Sequence, residues 1–343
     1  MRQVAVVTTG FFDGVHLGHR HVLETLVSSA RERGEEALVV TLWPHPRTVL
    51  QQDAREFRLL TSLEEKRALL LACGVDRMEV LPFTRELAAL TAAQYLQLLR
   101  DRFGASLVVM GYDNRIGSDR MTIDDLKATP CSGTPHPSDA PAPPNVSCVP
   151  ALPELVSVGP LPASREVASS PLLSPRGDTC PDGAVPGGGH ARCTEQPSAI
   201  SSTKIRTAVK AGEVEQAAAM LGYRYSLYGA VVAGNRLGRT IGFPTANMQL
   251  YEPLKLVPGN GVFAVDVEVL DRRFKGMCNV GIRPTVGGTI RTVETHILDF
   301  DEDIYGLPLR IAFLRKIRDE IRFPSLDALR EQLLLDRDAV RAR

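Results

Sequence analysis

The stretch Thr9-Gly10-Phe11-Phe12-Asp13-Gly14-Val15-His16-Leu17-Gly18-His19 constrains the chain more than any other. Before it, Val4 to Thr8 is a β-branched run that reads as a buried strand. After it, Val22, Leu23, Leu26, Val27 and Ala30 recur at helical spacing, which predicts a helix from His19 to Arg33 with Gly34 as its stop. A glycine-rich turn from strand to helix aims backbone N–H groups and the positive end of the helix dipole at one point, and phosphate is the ligand that suits it. Gly10, Gly14 and Gly18 let the backbone come close to such a ligand. His16 and His19 reach the same side of the turn, where imidazoles can donate to phosphate oxygens and stabilise charge that develops during transfer. Two other uses stay open: zinc ligation, although no third ligand and no cysteine lies at ligand spacing, and ordinary surface histidines.

The pattern continues as strand and helix in alternation. Ala37 to Leu42 reads as a second buried strand, ending in the stiff loop Trp43-Pro-His-Pro-Arg47. Ser62-x-x-Glu65 is a capping box that opens a helix to Cys73, stopped by Gly74. Asp76 to Leu81 predicts a third strand, Thr91 to Phe103 a helix stopped by Gly104, and Ser106 to Met110 a fourth strand leading into Gly111-Tyr-Asp-Asn-Arg-Ile-Gly117. Such alternation implies a mainly parallel sheet with right-handed crossovers, which binds ligands beyond the carboxyl ends of its strands. The histidine turn, the Trp-Pro-His-Pro loop and the Gly-Tyr-Asp loop then share one rim. Asp113 and Arg115 are placed either to orient a nucleotide or as solvated turn residues.

Residues 128–198 break the pattern. They hold 15 of the 24 prolines and four of the six cysteines, and no Phe, Trp or Tyr. Such a segment cannot bury enough apolar surface to offset the entropy of ordering, so it reads as disordered or loosely held. Its faint strand candidates are Asn145 to Val149 and Glu154 to Val158. Order returns at Ile200-Ser-Ser-Thr-Lys-Ile-Arg206, where hydroxyl caps open a helix. Lys204 and Arg206 in its first turn oppose the helix dipole, a conflict that an anionic ligand would relieve; an exposed, charged helix start is the plainer reading. A second helix from Val214 to Leu221 stops at Gly222.

From Tyr223 onward the chain is β-rich, with strands predicted over Leu227 to Ala233, Val262 to Leu270, Phe274 to Val280, Thr292 to Phe300 and Leu309 to Lys316. Consecutive antiparallel strands suggest a small closed barrel. Ser325 to Ala342 reads as a terminal helix whose Leu326, Leu329, Leu333 and Val340 form a core-facing stripe. The loop Gly234-Asn-Arg-Leu-Gly-Arg-Thr-Ile-Gly-Phe-Pro-Thr-Ala-Asn247 offers a glycine cradle for phosphate, without the Lys-Ser/Thr ending of a Walker A loop. Thr245 and Asn247 alternate on an extended segment, so two hard oxygens suited to Mg²⁺ point one way.

A chain of 343 residues is long enough for two domains. With 40 acidic and 40 basic residues it carries no net field to attract nucleic acid or an anionic membrane. The absence of a spanning apolar run or a signal-peptide pattern predicts a cytoplasmic protein, and the six cysteines form no C-x-x-C pair.

Gly-Phe-Phe-Asp-Gly-Val-His-Leu-Gly-His resembles the nucleotidylyltransferase signature of the bacterial bifunctional riboflavin kinase/FAD synthetase family. Trp-Pro-His-Pro-Arg, Gly-Tyr-Asp-Asn-Arg-Ile-Gly (with Ile116 where the family usually has Phe) and Ser-Ser-Thr-Lys-Ile-Arg are similar to it as well. The Gly234–Asn247 loop, Asn279 to Thr285 and Val293 to Phe300 match its riboflavin kinase part in the expected order. The resemblance covers nearly the whole chain except 128–198. It implies a Rossmann-like α/β nucleotidylyltransferase domain with a mainly parallel sheet over 1–222, interrupted at 128–198, and a small antiparallel β-barrel kinase domain with a terminal helix over 223–343. It implies ATP binding for adenylyl transfer at Gly10, Phe11, Asp13, His16, Gly18, His19, Asp113, Arg115, Ser202, Thr203 and Arg206, with His16 and His19 taking part in catalysis. For the kinase it implies ATP and flavin binding at Gly234, Gly238, Arg239, Gly242, Pro244, Asn279, Arg283 and Arg318, Mg²⁺ on Thr245 and Asn247, and Glu294 as catalytic base. The substrates implied are riboflavin, FMN and ATP, with FAD as product and no nucleic acid or membrane partner. Two narrower readings stay open: a kinase alone, with adenylyl transfer impaired by residues 128–198, and a flavin-binding sensor without turnover.

Overall fold

A computed structural model describes residues 4–50, 57–112, 114–128, 153–159, 200–234, 237–285 and 288–342. Its elements in chain order are β1 (Ala5–Gly10), α1 (Leu17–Arg33), β2 (Glu36–Trp43), α2 (Pro46–Leu50), α3 (Leu63–Ala72), β3 (Arg77–Pro82), α4 (Arg85–Ala89), α5 (Ala92–Phe103), β4 (Ala105–Gly111), α6 (Ile123–Ala128) and β5 (Glu154–Val158). There follow α7 (Ser202–Ala211), α8 (Val214–Leu221), β6 (Ser226–Val232), α9 (Leu237–Thr240), β7 (Ala246–Leu250), β8 (Gly261–Val269), β9 (Arg272–Thr285), β10 (Gly288–Ile297), β11 (Pro308–Arg318) and α10 (Leu326–Arg341). The chain divides into two compact units: Met1–Phe57 with Glu65–Pro162, and Arg58–Glu64 with Ala163–Arg343.

The first unit is a five-stranded parallel sheet in the order β3-β2-β1-β4-β5. β1 and β2 are buried along most of their length, as strands covered on both faces must be. Its core joins Val7, Leu38, Val40 and Val108 to Tyr95, Leu96 and Leu99 of α5. That helix carries the local chemistry that fixes its ends: a Thr91/Gln94 capping box and Gly104 at φ 71°. Ile116 fills the same core where the resembled family has Phe. All strand ends fall on one side, so the three loops singled out from the sequence do share a rim. Of the two strand candidates in 128–198, Glu154–Val158 is the fifth strand, paired with β4 from Leu107↔Glu154 to Gly111↔Val158. Asn145 to Val149, with most of that segment, lies outside the described residues.

The second unit is a closed antiparallel barrel in the order β10-β7-β6-β11-β8-β9. Its interior is filled by Phe263, Val265, Val267, Val280, Val293, Ile311 and Phe313, with Ile205, Val209 and Leu221 from α7 and α8 in the same cluster. Along β8 the inward residues alternate, Phe263, Val265, Val267 and Val269 all falling in this cluster. On the outer face, Leu333 and Val340 of α10 pack with Phe243, Ala264, Met277 and Leu298.

Three sequence expectations need correcting. The stiff loop read over Trp43 to Arg47 gives way at Pro46 to a short helix, Pro46–Leu50, because Pro at the first helical position is preorganised for a helix start. The segment after Pro244, read only as extended through Thr245 and Asn247, continues as the strand β7, whose Ala-Asn-Met-Gln-Leu does alternate buried and outward positions but over a run too short to stand out. The stripe of α10 is only half used: Leu326 is 53% exposed, and the side chain taken inside instead is Asp336. Asp336 accepts from Arg318 Nε at 3.1 Å and 3.0 Å and from Nη2 at 2.8 Å, and from Gln332 at 2.9 Å.

Candidate functional site

In the first unit the site is the turn between β1 and α1. Phe12 and Val15 hold φ values of 44° and 36°, and Gly14 holds 84°. A β-branched residue at positive φ is strained, and such backbone persists only where surroundings impose it. The turn is pinned from both sides. His16 caps α1, its Nδ1 accepting from the backbone N–H of His19 at 3.3 Å. The two rings stack with centroids 3.7 Å apart and planes 15° apart, and Phe12 meets His19 edge-on at 5.1 Å. Stacking sets ring faces rather than nitrogens toward one another, which does not suit joint zinc ligation. Among the described residues no group of three or more His, Cys, Asp or Glu is placed to hold a metal.

Burial, then the neighbouring His16 and Lys66, hold the His19 pKa well below the usual histidine value, so its imidazole is neutral near pH 7. Its Nδ1 is buried with no hydrogen-bond partner among the described residues. Phe11 reaches across the rim, its ring 4.8 Å from His45 of the Trp-Pro-His-Pro loop and 6.1 Å from Phe83 beyond β3. The structure therefore brings Gly10, Phe11, Asp13, His16, Gly18 and His19 onto one rim. Arg115 lies exposed after β4, and Asp113 is outside the described residues.

Ser202, Thr203 and Arg206 open α7, which clusters with the second unit. Ser201 caps this helix by accepting from the N–H of Lys204 at 3.4 Å, and Arg206 Nε donates to the backbone oxygen of Arg58 at 3.0 Å. Lys66, which sequence reasoning passed over, belongs to the first rim: its Nζ donates to Thr41 Oγ1 at 3.3 Å and the side chain is 2% exposed. Its one signal in the sequence is a lysine between the buried positions of an otherwise ordinary helix.

In the barrel four of the predicted residues, Glu294, Asn247, Asn279 and Arg318, fall on one ring of the ladder. Glu294 on β10 pairs with Asn247 on β7 and with Asn279 on β9; Asn279 pairs with Val262, and Val262 with Arg318. Residues directly opposite in antiparallel strands share a face. Val293 and Thr295 on either side of Glu294 are buried in the interior, so Glu294, Asn247 and Asn279 occupy the outer face. Of this ring, Arg318 is already held by Asp336. Arg283 lies on β9 two positions beyond Gly281.

The glycines of the preceding loop have separate duties. A Cβ on Gly234 would overlap the Asn247 carboxamide, and one on Gly238 would overlap the backbone oxygen of Phe243. Gly242 has open space but φ 83°, so it is kept for its backbone. Pro244 O accepts from His296 Nδ1 at 2.8 Å, which fixes that tautomer, and burial lowers the His296 pKa. Thr245, Pro244 and Arg239 line a cavity of about 270 Å³ with Thr295, Asp303 and Tyr305. Asn247, opposite Glu294 on the ladder, and Thr245 two residues before it carry hard, neutral oxygens. That chemistry fits Mg²⁺, which takes few protein ligands and completes its shell with phosphate and water.

Among the described residues no helix is long and apolar enough to cross a membrane. Residues 1–133 match the FAD synthetase family model and residues 221–343 the riboflavin kinase model. A Bacillus subtilis (strain 168) protein named bifunctional riboflavin kinase/FMN adenylyltransferase is 30% identical over 341 residues, 98% of this chain and 92% of its own length. An Escherichia coli (strain K12) protein of the same name is 33% identical over 333 residues, 96% of this chain and 90% of its own. A crystal structure from Streptococcus pneumoniae, described as a macrolide-efflux protein, superposes with a TM-score of 0.78 at 29% identity over 99% of this chain and 95% of that one. With two family models in this order and relatives aligned from end to end, the chain is a transferase and belongs to the bifunctional riboflavin kinase/FMN adenylyltransferase family.

Proposed function

We infer that the chain phosphorylates riboflavin to FMN and then transfers an adenylyl group from a second ATP to FMN, making FAD and pyrophosphate. The observation that carries this reading is the coexistence of two sites: a strained, histidine-bearing phosphate turn on a parallel sheet, and a carboxylate flanked by two asparagines on a barrel. Each lies within the stretch matched by the corresponding family model. Residues 1–222 are assigned to adenylyl transfer and 223–343 to phosphoryl transfer.

In the kinase step Glu294 takes the proton from the terminal ribityl hydroxyl, and that oxygen attacks the γ-phosphorus of ATP while ADP leaves. A placed base contributes about 10²–10⁴-fold. Gly234, Gly238 and Gly242 shape the loop over the phosphates; Arg239 and Pro244, which line the barrel cavity, bind ATP or flavin together with Asn279, Arg283 and Arg318. Thr245 and Asn247 would hold Mg²⁺, which supplies charge neutralisation on the phosphates when bound. In the adenylyl step the FMN phosphate attacks the α-phosphorus and pyrophosphate leaves. A phosphate nucleophile needs no base, so His16, His19, the turn backbone, Asp113, Arg115, Ser202, Thr203 and Arg206 act by binding and orienting the triphosphate. A cytoplasmic location accords with these soluble substrates.

The test is a time course with riboflavin and MgATP, separating flavins by chromatography. FMN should rise first and FAD follow. A chain that makes neither, or binds FMN without consuming ATP, contradicts the reading.

A further inference from the structure

A buried lysine is uncommon, because removing an ammonium from water costs several kcal/mol unless opposite charge or hydrogen bonds offset it. Lys66 on α3 is such a residue, and Thr41, Trp43, Asp13 and His19 of the proposed adenylyl-transfer rim all bear on it. Its Nζ donates to Thr41 Oγ1 at 3.3 Å and stands 5.8 Å from the centre of the Trp43 ring, both on the last residues of β2. The opposite charge that partly offsets its burial is Asp13, on the strained turn between β1 and α1, and Asp13 is itself buried. The charge of Lys66 also acts on His19 at the start of α1, helping to lower its pKa. Thr41 Oγ1, which accepts from Lys66, donates in turn to the backbone oxygen of Phe11 at 3.5 Å, so the lysine is linked through the end of β2 to the turn that carries both histidines.

We propose that Lys66 is a positioning residue for adenylyl transfer, whose ammonium, tethered to Thr41 and set against Asp13, braces the histidine turn and supplies fixed positive charge beneath the arriving triphosphate. This rests on the reading of the rim as the adenylyl-transfer site. Among the described residues, Asp13 and His19 are the charged and titratable groups that interact with it. Burial lowers the Lys66 pKa to about 8, so its charge is lost within an accessible pH range, while His19 titrates far below that range. A triphosphate is favoured by the charged form, hence FMN adenylylation should be sustained below pH 8 and fall above it.

The experiment measures kcat and KM for ATP in FMN adenylylation from pH 6.5 to 9.5 for the wild type, Lys66→Arg and Lys66→Met, with riboflavin phosphorylation by the same preparations as an internal control of folding. The wild type should lose at least about tenfold in kcat/KM across the limb near pH 8. Lys66→Arg, charged throughout, should keep activity and lack that limb. Lys66→Met should be reduced at least about tenfold at pH 7 with no limb, its kinase activity intact. A wild-type profile flat from pH 7 to 9, the same limb in Lys66→Arg, or full activity in Lys66→Met overturns the proposal. If Lys66→Met fails to fold, the wild type and Lys66→Arg still decide it. A wild type that makes no FAD at any pH overturns the adenylyl-transfer reading and this proposal together; FAD synthesis indifferent to Lys66 overturns this proposal alone.

Discussion

Glu294 of β10 stands directly opposite Asn247 of β7, and the two strands are joined over only one further pair, Thr295 with Ala246. A carboxylate and a carboxamide on the same face of so short a ladder are held by backbone, not by long flexible side chains. That makes Glu294→Gln a clean substitution, since it keeps the shape and removes the base. FMN formation should fall by about 10²–10⁴-fold while FAD formation from supplied FMN is unchanged. Steady-state rates with each flavin check it.

Gly234 abuts the Asn247 carboxamide, leaving no room for a methyl group. Gly234→Ala should push Asn247 off the ladder position opposite Glu294 and reduce riboflavin phosphorylation with little change in melting temperature. Gly242→Ala should act differently: space is open there, and the penalty is the left-handed backbone at φ 83°, about 1 kcal/mol. Parallel rate and thermal measurements separate the two.

His19 is neutral in the folded protein because burial, His16 and Lys66 all disfavour its imidazolium. A bound triphosphate reverses the sign of the local field, so ATP should raise its pKa. NMR titration of the imidazole signals with and without ATP reads this directly. The unfolded chain binds a proton at this position near the ordinary value of 6.5. The folded chain refuses that proton, so the stability contribution is present above that pH and is lost as pH falls below it.

Asp336 is 1% exposed and accepts two donors of the Arg318 guanidinium. Breaking a buried pair by removing one partner costs about 3–5 kcal/mol, because the other charge is left uncompensated. Asp336→Ala should therefore lower the stability of the barrel unit by that order in denaturant unfolding, and Leu333 and Val340 should lose their hold on the outer face. Unfolding monitored with and without a flavin substrate checks both.

Much of this was legible from residue order. The β1–α1 turn announced itself because strand, glycines and helix each carry local signals, and the barrel strands because inward residues alternate. What escaped was set by partners far away in sequence. Lys66 sits in Leu-Glu-Glu-Lys-Arg, which looks like a solvated helix face until β2 and the turn close over it. Asp336 sits in Asp-Arg-Asp, equally ordinary until Arg318 arrives from β11. β7 was missed because its alternation, Ala246 and Met248 inward with Asn247 and Gln249 outward, spans only five residues and follows directly on a glycine-rich loop. The strand Glu154–Val158 was faint because four of its five positions are not fully buried, as suits the edge of a sheet.

The central claim is that two chemically distinct transfers from ATP take place on one polypeptide. It is tested most directly by supplying riboflavin with ATP labelled at either the γ- or the α-phosphorus. The account predicts that γ-label enters FMN and is retained in FAD, whereas α-label appears in FAD and never in FMN. No γ-label in FMN, or no α-label in FAD, would contradict it.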